Sequence, residues 1–158
     1  MAVIDDFIAM LIDDASPAVI HVSDVRDQLR DYPEFNEIVR KEAEDEEYAK
    51  AIIKVMASFN AMSPFDSGYG PKDFPDRSLL MDWSAAQVLR QVYTWHARNQ
   101  WSASDAGLQV PLHEQWEGLQ RIAEGLMAEA KQTARELKTR LNIKRGFGRG
   151  VNSALWWR

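Results

Sequence analysis

The chain has 158 residues, 46% of them hydrophobic and 27% charged, with a formal net charge of -5. That composition suits a single globular domain and excludes wholesale disorder; a chain of this size buries roughly 70% of its unfolded surface without covalent staples. It contains no cysteine, which excludes disulfides, thiolate metal sites and cysteine nucleophiles and fits a reducing compartment. No apolar run approaches the roughly 20 residues needed to cross a bilayer. The acidic start, Met1 to Asp6, is unlike a secretory signal, so an intracellular, soluble protein is expected.

The chain opens with Val3, Ile4, Phe7, Ile8, Leu11 and Ile12 at helical spacing, which predicts a short amphipathic helix over 1–14, ended by Ser16-Pro17. After the β-branched Val19-Ile20-His21-Val22, Ser23-Asp24 offers caps for a helical turn through about Arg30. Tyr32-Pro33 restarts the chain, and a long helix is expected from about Pro33 to Met62. Its apolar patches, Phe35, Ile38 and Val39, then Ala49, Ile52, Ile53, Met56 and Phe59, flank an acidic run holding Glu42, Glu44, Asp45, Glu46 and Glu47. Five acids so close cannot all be buried, so the run faces water or breaks the helix in two.

Ser63 to Asp76 holds three prolines, two glycines and three aromatics, a long loop whose Phe65, Tyr69 and Phe74 are expected to fold back over the core. A second long helix is predicted from about Arg77 to Trp101, with Met81, Ala85, Val88, Leu89, Val92 and Trp95 inward and Leu80 and Trp83 widening the stripe. A turn at Ser102 to Gly107 and a short extended Leu108-Gln109-Val110 lead to Pro111, which opens the last helix. There Leu112, Trp116, Leu119, Ile122, Ala123, Leu126, Ala130, Leu137 and Leu141 keep a helical stripe for about thirty residues, roughly 45 Å. Asn142 begins its exit, and the alternating glycines of Gly146-Phe147-Gly148-Arg149-Gly150 are expected to end helix. The fold class is therefore all-α: a bundle of three long helices and a short N-terminal one over 1–145, with an aromatic loop and an extended tail over 146–158.

Charge is unevenly placed. From Lys131 to Arg158 eight basic residues face one acid, Glu136, a surplus of +7 that leaves -12 on the rest of the chain. An acidic body and a basic, aromatic end imply two surfaces with different partners. His21, His96 and His113 form no metal-ligand spacing, and there is no nucleophile elbow or P-loop. Gly146 to Gly150 precede no helix, the wrong setting for a phosphate cradle. No enzymatic activity, metal or cofactor is expected. In the tail, arginine beside Phe147, Trp156 and Trp157 suits either docking into protein pockets, the preferred reading, or binding nucleic acid.

Two stretches, His96-Ala97-Arg98-Asn99-Gln100-Trp101-Ser102-Ala103-Ser104-Asp105-Ala106-Gly107-Leu108-Gln109-Val110 and Leu137-Lys138-Thr139-Arg140-Leu141-Asn142-Ile143 with Gly146 to Val151, resemble head-to-tail adaptor (connector) proteins of tailed bacteriophages. The likeness covers roughly residues 79–151; Ala106 stands where that family has the first glycine of its turn, and Ser102-Ala103 where Pro-Tyr is common. The resemblance implies a virion structural protein of the neck, assembled in the host cytoplasm. It would form an oligomeric ring, commonly a dodecamer, between the portal protein and a tail or stopper protein, with genomic DNA passing through without specific binding. In that reading Gly146, Phe147, Gly148, Arg149, Gly150, Val151, Leu155, Trp156, Trp157 and Arg158 form the portal-docking tail. Glu42, Glu44, Asp45, Glu46 and Glu47 would face the DNA channel, where like charge keeps a duplex from sticking. A tail-completion protein binding the tail tube and a nucleic-acid-binding helical module are the alternatives.

Overall fold

A computed structural model describes residues 2–34, 43–99 and 112–153. Within them the chain forms five helices, α1 (Ala2–Ile12), α2 (Val22–Leu29), α3 (Asp45–Asn60), α4 (Arg77–Asn99) and α5 (Leu112–Ser153). No strand occurs among the described residues, so the chain is all-α.

At α2, α3 and α4 the helix begins where a side chain takes over a backbone amide. At α2 the Asp24 carboxylate accepts the His21 N–H at 2.9 Å. The end of α2 falls at Arg30, which adopts φ 54°, while Asp31 N–H donates to Arg26 O. At α4 the Asp76 carboxylate accepts the Leu79 N–H at 3.0 Å. The expected continuous helix from Pro33 to Met62 is not what forms: Pro33 and Glu34 lie in a turn, and α3 starts only at Asp45. Glu44 is its extended N-cap, and Glu47 reaches back to accept the Glu44 N–H at 3.0 Å. Carboxylates are favoured where the helix dipole is positive, so the acidic run marks a start and not a middle. Phe35, Ile38, Val39 and Glu42 lie outside the described residues.

The core joins Leu11 of α1, Ile20, Val22 and Val25 around α2, Tyr48, Ile52, Val55, Met56 and Phe59 of α3, Leu80, Trp83 and Val88 of α4, and Met127, Ala130 and Ala134 of α5. α1 commits little of its apolar face, since Val3, Ile4 and Ile12 stay exposed. α4 is covered on several sides and is buried continuously from Trp83 to Val88, Ser84 and Gln87 included. From Leu89 to Trp95 it is only partly covered, and Trp95 is exposed, not inward as its spacing suggested.

α5 packs along α4, and the Trp83 indole N–H donates to Met127 Sδ at 2.9 Å. Its buried line is Ala123, Met127, Ala130, Ala134 and Lys138. Three alanines admit close approach of α4, and a single close neighbour covers a narrow arc. Ile122 and Leu126, expected inward, are left exposed. The helix also passes its expected end: it crosses Asn142 and the 145/146 boundary and continues through Gly146, Gly148 and Gly150 to Ser153. Up to Ser153 the extended tail is thus corrected to helix. Glycine weakens a helix by about 1 kcal/mol relative to alanine without forbidding it. Extending a helix already formed adds one hydrogen bond per residue ordered.

Candidate functional site

The C-terminal half of α5 carries the chain's basic surplus, and two features seat it on the bundle. Because Trp83 meets Met127, the first residue of α4 lies opposite about residue 133, and the last twenty residues of α5, roughly 30 Å of helix, run beyond α4. The loop after α3 supports the start of this arm. Its sequence folds back because Asn60, the last residue of α3, organises it. Asn60 Nδ2 donates to Tyr69 O at 2.8 Å, Asn60 Oδ1 accepts Ser67 Oγ–H at 2.9 Å and Tyr69 N–H at 3.1 Å, and Asn60 O accepts Ser67 N–H at 3.0 Å. Tyr69 and Phe74 close on Phe59, with ring centroids 6.0 and 4.8 Å away. The Ser63-Pro64 peptide is cis.

Into this folded loop α5 inserts Lys138, which is 0% exposed. Its Nζ donates to Ser67 Oγ at 2.7 Å, Phe65 O at 2.8 Å and Asn60 O at 3.3 Å. Those three acceptors match the three ammonium hydrogens. The rings of Phe65 and Phe59 lie 4.4 and 4.9 Å from the same nitrogen, and two turns on Arg145 stacks its guanidinium 4.3 Å from Phe65. Burial lowers the Lys138 pKa below the ordinary lysine value; Asp66 opposes the shift and Arg145 adds to it. Helix periodicity does not reveal this lysine, because a basic residue near a helix C-terminus is ordinary on the surface. The signal available in the sequence is its register: it falls one helical turn after the buried Ala134.

Beyond Lys138, Arg140, Ile143, Lys144, Arg145 and Gly146 are exposed. Gly146, Phe147, Gly148, Arg149, Gly150 and Val151 form the final turns of α5. Leu155, Trp156, Trp157 and Arg158 lie outside the described residues. A Cβ built at Gly146 would have open space around it.

The acidic run lies toward the far end of α3, about 22 Å along the helix from Asn60. Its members have local roles. Asp45 accepts from Arg26 at 2.5 Å, Glu46 pairs with Lys50 at 2.8 Å, and Glu44 and Glu47 make the cap. Arg26 is itself buried and donates to Asp31 Oδ2 at 3.3 Å and to Ala43 O at 3.2 Å, with its guanidinium 4.6 Å from the Tyr48 ring. Tyr48 O–H completes the knot by donating to Asp31 at 2.9 Å. Among the described residues no cluster of His, Asp and Glu is arranged to hold a metal ion, and no helix is long and apolar enough to cross a membrane. Comparison with protein-family models, with curated proteins and with solved structures gives no match for this chain.

Proposed function

We propose that the protein is a non-enzymatic structural adaptor of a phage neck, a head-to-tail connector that assembles as a ring and carries its basic C-terminal arm to a portal protein. The reading rests on the sequence resemblance of residues 79–151, and the observation that supports it best is the arm itself. A basic helix leaves the bundle past α4, anchored at its root by Lys138 and Arg145. The residues expected to dock, Gly146 to Arg158, follow that anchor, so the socket sets the direction in which they are presented. Trp156 and Trp157 then act as large, low-entropy anchors in portal pockets, and Arg149 adds charge complementarity. Glu42, Glu44, Asp45, Glu46 and Glu47 face the passing DNA in this reading, while the tail or stopper protein binds the opposite end of the ring.

Removal of residues 146–158 tests the reading. The truncated chain is expected to lose only the helical signal of residues 146–153 and to keep its melting transition while losing co-sedimentation with portal rings; retained portal binding refutes the assignment. The exposed Lys131, Arg135, Arg140, Lys144 and Arg145 on one helix favour a second reading, a nucleic-acid-binding module. It predicts duplex affinity that falls steeply with salt, with a log–log slope near -0.9 per phosphate contacted.

A further inference from the structure

One flank of α5 repeats with alternating steps of four and three residues: Ile122, Leu126, Glu129, Thr133, Glu136, Arg140 and Ile143. Steps of this kind keep residues on one seam of a helix. All seven are exposed except the half-buried Thr133, and Ile122 and Ile143 are 55% and 51% exposed. The buried line of Ala123, Met127, Ala130 and Ala134 lies about a third of a turn away around the helix. This seam is apolar at both ends and charged in the middle, acids first and arginine after. Turned end for end, it complements itself. With the symmetry axis between residues 134 and 135, Leu126 meets Ile143 of a second copy, Glu129 meets Arg140, and Thr133 meets Glu136, each contact occurring twice. Gly125, beside Leu126, leaves open space where a Cβ would stand, so a second helix can approach closely.

We propose that two copies of this chain pair through α5 in antiparallel register, forming a twofold dimer held by Leu126–Ile143 packing and reciprocal Glu129–Arg140 pairs. The occupant is a second copy because the order of charges is complementary only on reversal: a parallel partner would set Glu129 against Glu129 and Arg140 against Arg140. The contact is isologous, and it concerns the free chain. It does not depend on the adaptor reading, whose ring relates neighbours by rotation about one axis and would leave them parallel.

The test uses the full chain. Sedimentation equilibrium over a wide concentration range is expected to show a monomer–dimer equilibrium that weakens as salt rises. Glu129→Arg or Arg140→Glu alone raises the dissociation constant by about tenfold or more, because two attractions become two repulsions. The double exchange Glu129→Arg with Arg140→Glu brings it back to within about threefold, an outcome that a loss of folding cannot produce. Because the chain has no cysteine, a single introduced one carries a spin label uniquely. Labels at Arg121→Cys should lie about 40 Å apart in the dimer and those at Gln132→Cys less than about 20 Å apart. A monomer at every concentration, equal spacings at the two positions, or single and double exchanges that behave alike each overturn the proposal.

Discussion

Lys138→Met removes the ammonium while nearly preserving side-chain length and apolar packing. Of its three acceptors, Asn60 O still accepts Ser67 N–H and Ser67 Oγ still donates to Asn60 Oδ1. Only Phe65 O loses the partner described for it. An orphaned buried carbonyl costs about 1–3 kcal/mol, and the lost cation–π contacts add about 0.5–2 kcal/mol. Relief of the buried charge's desolvation offsets part of this. A net loss of about 1–2 kcal/mol is expected, rising to about 2–4 kcal/mol in Lys138→Ala, where a cavity adds to it. Urea unfolding followed by circular dichroism measures both variants, and hydrogen exchange at the Ser67 and Tyr69 amides reports the loop. The pH dependence carries its own sign. Because burial lowers the folded-state pKa, the unfolded chain binds more protons between that value and the ordinary lysine pKa of about 10.4. Stability contributed by this group therefore rises with pH through that alkaline window, and the rise is absent in Lys138→Met. The loss on substitution and the lowered pKa are compatible, since the neutral amine still donates to the loop. A Lys138→Met protein as stable as the parent, with unchanged loop protection, would refute the view that this nitrogen seats the arm.

In the second knot, Asp31→Asn removes the carboxylate that receives Arg26, Tyr48 O–H and Ala43 N–H. Leaving a buried guanidinium with reduced compensation should cost about 3–5 kcal/mol in thermal or urea unfolding. Asn60→Ala deletes three side-chain hydrogen bonds to the loop; a loss of about 2–4 kcal/mol is expected, with faster proteolysis between residues 61 and 76 as the local readout. Gly146→Ala meets open space and, in a helix, should stabilise by about 0.5–1 kcal/mol; an unchanged helical signal and melting temperature would argue against helix at that position.

Helix existence was legible along most of the chain because apolar spacing and capping residues are local signals. α4 and the body of α5 fall where the apolar spacing of Leu80 and Ala123 puts them, and α2 starts at Val22, within two residues of the caps expected at Ser23-Asp24. The loop's aromatics were legible too, as a run with too much apolar surface to stay in water. The acidic run was read as either a water-facing middle or a break between two helices, and the choice fell to the structure, where Glu47 is found at the Glu44 amide and α3 starts at Asp45.

Composition and periodicity by themselves determined an all-helical chain with an acidic body and a basic end. Only the tertiary structure decided which side of α5 faces inward, because that depends on where α4 lies, and Ile122 and Leu126 have the same periodicity as the alanines that are buried. It alone decided that Lys138 is enclosed, since the acceptors that make an ammonium tolerable there come from Asn60, Phe65 and Ser67, more than seventy residues earlier. The passage of α5 through its glycines has the same character: propensity sets a modest local cost, and contacts such as Arg145 on Phe65 come from a distant part of the chain.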